Sequence, residues 1–267
     1  MTFGELVVSI PPGHVSGQVE WPTRRPDPAR HFAVQSNGGF SSMRRMQSEI
    51  SKGRGPVTLF VHGYNNTFTE AAFRHAQIAH DLNLTGDQVM FSWASLGVPP
   101  GYLYDRDSAL QARRPLADLI ADLASDSANE VVLVAHSMGA FLTMEALREL
   151  SNSGRSDVLR RINRIMLISP DINEAVFLSQ IAEINPLPQP MVVTVNREDR
   201  VLRVSSRLSG QETRVGLGQH RAALDARGIT VLDLTEFAAT AGDGHFIPAT
   251  SETILGLANS LGRGLDD

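Results

Sequence analysis

Cysteine is absent from the 267 residues, and this absence removes three kinds of chemistry at once. Without thiols the chain can form no disulfide, no thiolate metal site and no cysteine nucleophile. The sequence also lacks any apolar run near the roughly 20 residues that a membrane helix needs, so we expect no integral membrane segment. Basic residues are not in excess, with 24 Lys and Arg against 29 Asp and Glu and no dense basic block. We therefore expect no general binding of nucleic acid.

The first twenty residues have neither a basic start nor a long apolar stretch, and so they do not predict a signal peptide. This leaves localisation open between the cytoplasm and export with a signal already removed. The length suits one domain, with or without a short extension. We predict an N-terminal arm over residues 1–55 that packs on a domain over residues 56–267. Nothing in the sequence sets the oligomeric state.

Short apolar strands alternate with amphipathic helices from residue 56 onward. We expect two short strands in the arm, at 6–10 and 31–34. Domain strands are expected at 57–61, 88–93, 131–135, 165–168, 191–195 and 229–234, and helices at 67–82, 109–123, 138–150, 173–184 and 251–261. This order predicts an α/β fold, with a mostly parallel central sheet covered by helices on both faces. In such sheets the working groups lie at the carboxyl ends of the strands.

The sharpest motif is a serine between a β-branched strand and a helix. Residues 131–135 lead into His136-Ser137-Met138-Gly139, so Ser137 has small residues two positions away on either side, Ala135 and Gly139. This context is typical of the nucleophile elbow of α/β-hydrolases, with alanine in place of the usual first glycine. The alternative is that Ser137 only caps the helix that follows.

A serine nucleophile in this fold needs an acid and then a histidine later in the chain. His245, flanked by glycines after the last predicted strand, is the predicted base. Two acids are candidates: Asp199 follows strand 191–195, and Asp171 follows strand 165–168. We favour Asp199 because the fold's usual acid lies in the later loop, and we expect Asp171 to cap the helix beginning near Asn173.

The oxyanion produced by such a nucleophile needs two hydrogen-bond donors. The loop after the first domain strand, His62-Gly63-Tyr64-Asn65-Asn66, is expected to supply the backbone N–H of Tyr64. The residue after the nucleophile, Met138, is expected to supply the other N–H. An ordinary strand-to-helix turn is the alternative for this loop. We interpret His62 as a structural residue rather than a base.

The substrate pocket is expected to be aromatic. Its predicted lining is Phe91, Trp93, Tyr102, Tyr104, Phe141, Phe177 and Phe246. Two segments, 94–107 and 171–190, are expected to overhang the site, and both are too short to form a large lid domain. Short- or medium-chain acyl esters are therefore the expected substrates.

Several motifs together resemble a bacterial α/β-hydrolase family long catalogued as a domain of unknown function. They are Phe60-Val61-His62-Gly63-Tyr64-Asn65-Asn66, Phe91-Ser92-Trp93, Tyr104-Asp105, Ala135-His136-Ser137-Met138-Gly139 and Ser169-Pro170-Asp171. The elbow is also similar to that of small bacterial lipases, which share the alanine. The resemblance implies carboxylesterase or lipase-like activity without a cofactor, and a triad of Ser137, Asp199 and His245.

The sequence thus predicts a serine carboxylesterase that acts on small-molecule esters through an acyl-enzyme. No catalytic metal is expected, because the histidines are scattered and no His-Glu-x-x-His run is present. Acyl transfer or perhydrolysis by the same triad differs only in the acceptor, so the sequence leaves that alternative open. A catalytically silent scaffold used for binding is the alternative from another class.

Overall fold

Two sheets organise the part of the chain that the computed structural model describes, residues 1–50, 55–125, 130–208, 210, 213–219, 221–236 and 245. In chain order the strands and helices are β1 Phe3–Ser9, β2 Ala33–Phe40, α1 Met43–Ile50, β3 Val57–Val61, α2 Phe68–Asp81, β4 Asp87–Phe91, α3 Tyr102–Leu123, β5 Val131–His136, α4 Met138–Asn152, α5 Ser156–Leu159, β6 Ile162–Ile168, α6 Glu174–Glu183, β7 Met191–Val195, α7 Arg200–Leu208, α8 Arg221–Asp225 and β8 Thr230–Asp233. Short 3₁₀ turns lie at Pro99–Gly101 and Val215–Leu217.

The central sheet has six strands in the order β4-β3-β5-β6-β7-β8, and all neighbouring pairs run parallel. Every residue of β3 is buried, as expected for a parallel strand covered on both faces. The predicted parallel α/β sheet is therefore confirmed. Because all six strands point the same way, their carboxyl ends share one edge, and the loops after β3, β5, β6 and β7 meet there.

Helix α2 begins at a complete capping box. Thr67 is the N-cap, its side chain accepts from the Glu70 amide at 3.3 Å, and the Glu70 carboxylate accepts from the Thr67 amide at 2.7 Å. This reciprocal pair satisfies donors that the first helical turn leaves free. Because Thr67 comes four residues after Gly63, the cap also fixes where the loop after β3 ends.

Outside the central sheet, β1 and β2 form an antiparallel pair in the arm. Both predicted arm strands are present with different bounds, since β1 begins at Phe3 and β2 runs from Ala33 to Phe40 through two glycines. Helix α3 starts seven residues earlier than predicted, so residues 102–107 of the expected overhang are helical. Helices α1, α5, α7 and α8 were not predicted, and the predicted helix 251–261 lies outside the described residues.

The division into an arm over 1–55 and a domain over 56–267 stays a prediction. Within the described ranges, no helix combines the length and apolarity that crossing a bilayer requires.

A buried histidine on α2 predicts a pH dependence of stability. The His75 ring stacks on Phe60 of β3, with centroids 5.2 Å apart, and burial lowers the pKa of His75 to about 4. The unfolded chain would take up this proton first, near pH 6.5. Stability from this group is therefore fully present above pH 6.5 and is lost as the pH falls towards 4. We expect the loss to reach about 3 kcal/mol of unfolding free energy.

Denaturant unfolding of wild type and of His75→Gln, from pH 7.5 to 4, measures this contribution. The variant should lose stability less steeply than wild type below pH 6.5. His31→Gln, which alters a histidine outside the core, is the control and should follow wild type. Equal slopes for His75→Gln and wild type would show that His75 does not titrate as stated.

Candidate active site

Ser137 has a strained backbone conformation between β5 and α4. Its φ is 53° and its ψ is −122°, in a region that residues other than glycine rarely adopt. The Ser137 amide donates to the Ile168 carbonyl of β6 at 2.9 Å, and the Ser137 carbonyl accepts from the Asp171 amide at 3.2 Å. The side chain makes no capping hydrogen bond to α4, so the interpretation of Ser137 as a helix cap alone is wrong.

Two glycines allow the chain to approach this serine closely. A Cβ atom on Gly139 would lie 2.5 Å from the Val61 carbonyl oxygen at the end of β3, which is closer than any real contact. A Cβ atom on Gly63 would lie 2.9 Å from the Ser137 Cβ. The turn after β5 and the loop after β3 are thus in direct contact through positions that accept no larger residue, and Ala135 is fully buried beside them.

The predicted base and the favoured acid lie together. Nδ1 of His245 is 2.6 Å from Oδ2 of Asp199, and Asp199 is wholly buried. The His245 ring also lies beside the turn after β5, because its centroid is 4.7 Å from that of the His136 ring. The structure therefore brings Asp199 and His245 together next to the residue that precedes Ser137.

The two oxygens of Asp199 have separate partners. Oδ1 accepts from the Leu202 amide at 2.9 Å, which caps the first turn of α7, and Oδ2 faces His245. The strand β7 ends four residues earlier, at Val195. One carboxylate thus fixes the start of a helix and holds the orientation of the imidazole ring.

Asp171 has a different role from the one predicted. The cap of α6 is Asn173 itself, whose side chain accepts from the Val176 amide, so the expectation that Asp171 caps this helix is wrong. Asp171 instead pairs with Arg214, with 3.0 Å between Oδ1 and Nε, and accepts from the Ser205 hydroxyl at 2.8 Å. Both charged side chains are almost fully buried.

Tyr102 lies beside the buried Asp171–Arg214 pair. Burial, followed by the nearby Asp171 carboxylate, raises the pKa of Tyr102 to about 12. Its hydroxyl lies 3.5 Å from the Arg214 guanidinium and its ring packs edge-on against Tyr64, 5.4 Å away. Arg214 carried no local sequence signal, because its importance comes from a partner 43 positions away.

The two amides predicted to bind an oxyanion have no protein acceptor among the described residues. Met138 is the first residue of α4, and its N–H belongs to the positive end of that helix. Tyr64 lies in the loop after β3, where the Tyr64 hydroxyl donates to the Pro99 carbonyl. The assignment of these two amides to an oxyanion hole stays a prediction.

Asp105 holds the loop after β3 in place, a role that the sequence analysis did not predict. Its side chain is fully buried and accepts from the Asn65 amide at 3.2 Å, the Ser95 hydroxyl at 2.6 Å and the Leu96 amide at 2.8 Å. The carboxylate thereby ties the loop after β3 to the loop after β4. The available signals were its place in the Tyr104-Asp105 motif of the family resemblance and in a segment expected to overhang the site.

His62 is structural, in accord with its interpretation from the sequence. Nδ1 donates to the Gly63 carbonyl at 2.9 Å, and Nε2 accepts from the Trp93 amide at 3.2 Å. The rings of His62 and Trp93 stack with their centroids 5.1 Å apart, and burial lowers the pKa of His62. His136 is also buried, and burial together with the nearby His245 lowers its pKa well below the usual value.

The predicted pocket residues differ in their surroundings. Five of them belong to the hydrophobic core: Phe91, Trp93, Tyr102, Phe141 and Phe177. Tyr104 is exposed, and Phe246 lies outside the described residues. The assignment of these residues to a substrate pocket stays a prediction.

The parallel sheet, the strained serine turn and the helices on both faces define the α/β-hydrolase class. A family profile described as "Alpha/beta hydrolase of unknown function (DUF900)" matches residues 40–258. The chain belongs to this family, as the resemblance of its motifs implied. A search of curated proteins finds no significant match.

Solved structures similar to this chain include three hydrolases. An esterase from Pyrobaculum calidifontis is 14% identical with a TM-score of 0.43, and the match covers 78% of this chain and 76% of the esterase. A dienelactone hydrolase from Anabaena variabilis is 13% identical with a TM-score of 0.46, covering 76% and 83%. A thermostable esterase from Pseudomonas putida is 14% identical with a TM-score of 0.41, covering 76% and 75%.

The Asp171–Arg214 pair predicts a large effect of Asp171→Asn on stability. The amide carries no charge, so the substitution removes the negative charge that Asp171 places beside the buried Arg214 guanidinium, and breaking a buried ion pair from one side is strongly destabilising. We expect the free energy of unfolding to fall by about 3–5 kcal/mol, measured by denaturant unfolding.

Asp118→Asn is the matched control, because Asp118 pairs with Arg114 on the surface. This control should leave the unfolding midpoint unchanged, since exposed pairs contribute little. Wild-type stability in Asp171→Asn would mean that the buried pair does not hold this part of the fold.

Proposed function

We propose that this protein is a serine carboxylesterase with Ser137 as nucleophile, His245 as base and Asp199 as acid. One observation carries the proposal: the His245 ring lies 4.7 Å from that of His136, beside the strained Ser137 turn, and pairs with buried Asp199 at 2.6 Å between Nδ1 and Oδ2. A positive φ at a non-glycine residue is costly, and such strain concentrates at functional positions. A helix start alone would not require it.

In the first half of the proposed reaction, Nε2 of His245 takes the hydroxyl proton of Ser137 as the oxygen attacks the ester carbonyl. Asp199 keeps the proton on Nδ1 and stabilises the imidazolium that forms, without becoming protonated. The carbonyl oxygen gains negative charge and accepts hydrogen bonds from the Tyr64 and Met138 amides. His245 then gives its proton to the leaving alcohol, and Ser137 remains acylated.

In the second half, His245 takes a proton from water, and the resulting hydroxide attacks the acyl carbonyl. The same two amides bind the second oxyanion, and the proton returns from Nε2 to the Ser137 oxygen as the acid leaves. Burial, followed by the nearby His245, lowers the pKa of the second histidine at the turn, His136, well below its usual value.

The choice of Asp199 over Asp171 is supported by how each carboxylate is occupied. Asp171 is committed to the Arg214 guanidinium and the Ser205 hydroxyl. Asp199 presents Oδ2 to His245 while Oδ1 caps α7. Only one of the two acids therefore contacts the proposed base.

Short- or medium-chain acyl esters are the proposed substrates. The connection between β4 and α3 consists of residues 92–101 alone, and α6 occupies much of the connection between β6 and β7. Such connections can border an acyl group but do not form a separate lid domain. The aromatic residues predicted from the sequence are the proposed lining of the acyl site.

Ser137→Ala tests the proposed nucleophile. We expect kcat on a short-chain ester to fall by about 10³-fold or more, with loss of labelling by a fluorophosphonate probe. The fold should survive, because the hydroxyl makes no capping bond to α4. Ser151→Ala, at the far end of α4, should keep both activity and labelling. Wild-type activity in Ser137→Ala would exclude the serine mechanism, and inactivity of the wild type on an ester panel would favour a silent scaffold.

Asp199→Asn tests the acid. The amide oxygen can still cap α7, but the charge that stabilises the His245 imidazolium is lost. We expect kcat to fall by about 10²–10⁴-fold with little change in KM, while circular dichroism shows a folded protein. Asp171→Asn, assayed on its folded fraction, should retain far more activity per molecule. The opposite ranking of these two variants would assign the acid to the loop after β6.

A further inference from the structure

A cluster of histidines and carboxylates joins the arm to the end of α2, outside the candidate active site. We call His14, Glu20, His80 and Asp81 the arm–helix cluster. His14 and Glu20 belong to the arm, and His80 and Asp81 are in the last turn of α2. The loop after β3, residues 62–66, which we call the oxyanion loop after its proposed function, lies at the other end of this 14-residue helix, about 20 Å away.

Two imidazole nitrogens converge on one carboxylate oxygen in this cluster. Nε2 of His14 is 2.9 Å from Oδ1 of Asp81, and Nδ1 of His80 is 3.3 Å from the same atom. One ligand atom from each of the three residues falls within 4.8 Å of the other two. In a tetrahedral zinc site, with bonds near 2.0–2.1 Å, neighbouring ligand atoms are about 3.3 Å apart. The separations from Oδ1 are within a few tenths of an ångström of that value.

The ligand orientations are fixed by other groups. Nδ1 of His14 is 2.8 Å from Oε2 of Glu20, which leaves Nε2 to face Asp81. A carboxylate on the distal nitrogen of a histidine is the usual support of a metal ligand. Oδ2 of Asp81 accepts from the Gln77 side chain at 2.5 Å and from the Gly17 amide at 2.6 Å, which leaves Oδ1 to the two histidines.

Burial and charge also favour a cation. The side chains of His14 and Asp81 are 6% and 2% exposed, whereas that of His80 is 54% exposed and gives access from solvent. Two carboxylates contribute negative charge, and nearby Arg74 donates to the Gln77 side chain and the Gly17 carbonyl. Imidazole and carboxylate ligands suit Zn²⁺ and disfavour Mg²⁺ and Ca²⁺, which prefer oxygen alone.

We propose that His14, His80 and Asp81 bind one zinc ion that fastens the arm to α2. Nε2 of His14, Nδ1 of His80 and Oδ1 of Asp81 are the ligands, and water takes the fourth position. The ion replaces any proton on the two ligating nitrogens, so binding releases those protons to solvent. Glu20 keeps the ring of His14 in place. The ion takes no part in the proposed ester hydrolysis and does not depend on it.

Zinc chloride titrated into chelator-treated, dialysed full-length protein tests this site. Calorimetry should give one equivalent, and the thermal midpoint should rise by roughly 5 °C or more at a free zinc concentration of a hundred times Kd. His80→Gln should weaken binding at least about tenfold, and Glu20→Gln should weaken it by about 10–100-fold. His80 is mostly exposed, so its replacement leaves the metal-free fold intact. His31→Gln, in the arm but outside the cluster, should bind as wild type does.

Two results would overturn the proposal. One is the lack of any zinc-dependent rise in the thermal midpoint of wild type, which would make the cluster a hydrogen-bonded contact only. The other is equal zinc binding by wild type, His80→Gln and Glu20→Gln, which would place the ion on other surface histidines. The rate of ester hydrolysis per folded molecule should be the same with and without zinc, so neither result bears on the proposed triad.

Discussion

The candidate site depends on the positive φ of Ser137, a strained conformation that the surrounding residues must hold in place. Such a conformation costs about 1–3 kcal/mol and persists only where the surroundings over-determine it. Here the Ser137 amide is bonded to Ile168 of β6, and Gly139 lies against the end of β3. The chain is thus fixed on both sides of the serine. The buried parallel strands hold the turn rigid, so the position of the Ser137 side chain at the edge of the sheet is fixed.

Two buried aspartates near this turn have the same side chain but different partners. Asp171 follows β6 and is held by Arg214, while Asp199 follows β7 and contacts His245. A buried ion pair is a weak source of net stability, because the desolvation of both charges offsets their attraction. Its more evident effect here is to join the loop after β6 to the segment after α7 and to occupy a second carboxylate near the turn.

The sequence was informative where interactions are local and uninformative where they are not. Continuous apolar runs predicted the bounds of β3 and β7 correctly, and the strand-to-helix junction located the Ser137 turn. The acid could not be settled in the same way, because Asp171 and Asp199 both follow buried strands and differ only in distant partners. Helix α7 was missed although its polar and apolar residues recur with helical spacing, because its start depends on Asp199, whose carboxylate caps the first turn. Arg214 and the arm–helix cluster depend on contacts across tens of residues, which no local pattern contains.

Helix α2 connects the two chemistries proposed for this chain. Its first turn is fixed by the Thr67–Glu70 capping box directly after the oxyanion loop, and its last turn carries His80 and Asp81. A cation at the second end also agrees with the negative end of the helix dipole. Because Asp105 separately ties the oxyanion loop to the loop after β4, motion at the far end of α2 need not reach the Tyr64 amide. The contacts of the arm with the last turn of α2 are therefore independent of the contacts that fix the loop before its first turn.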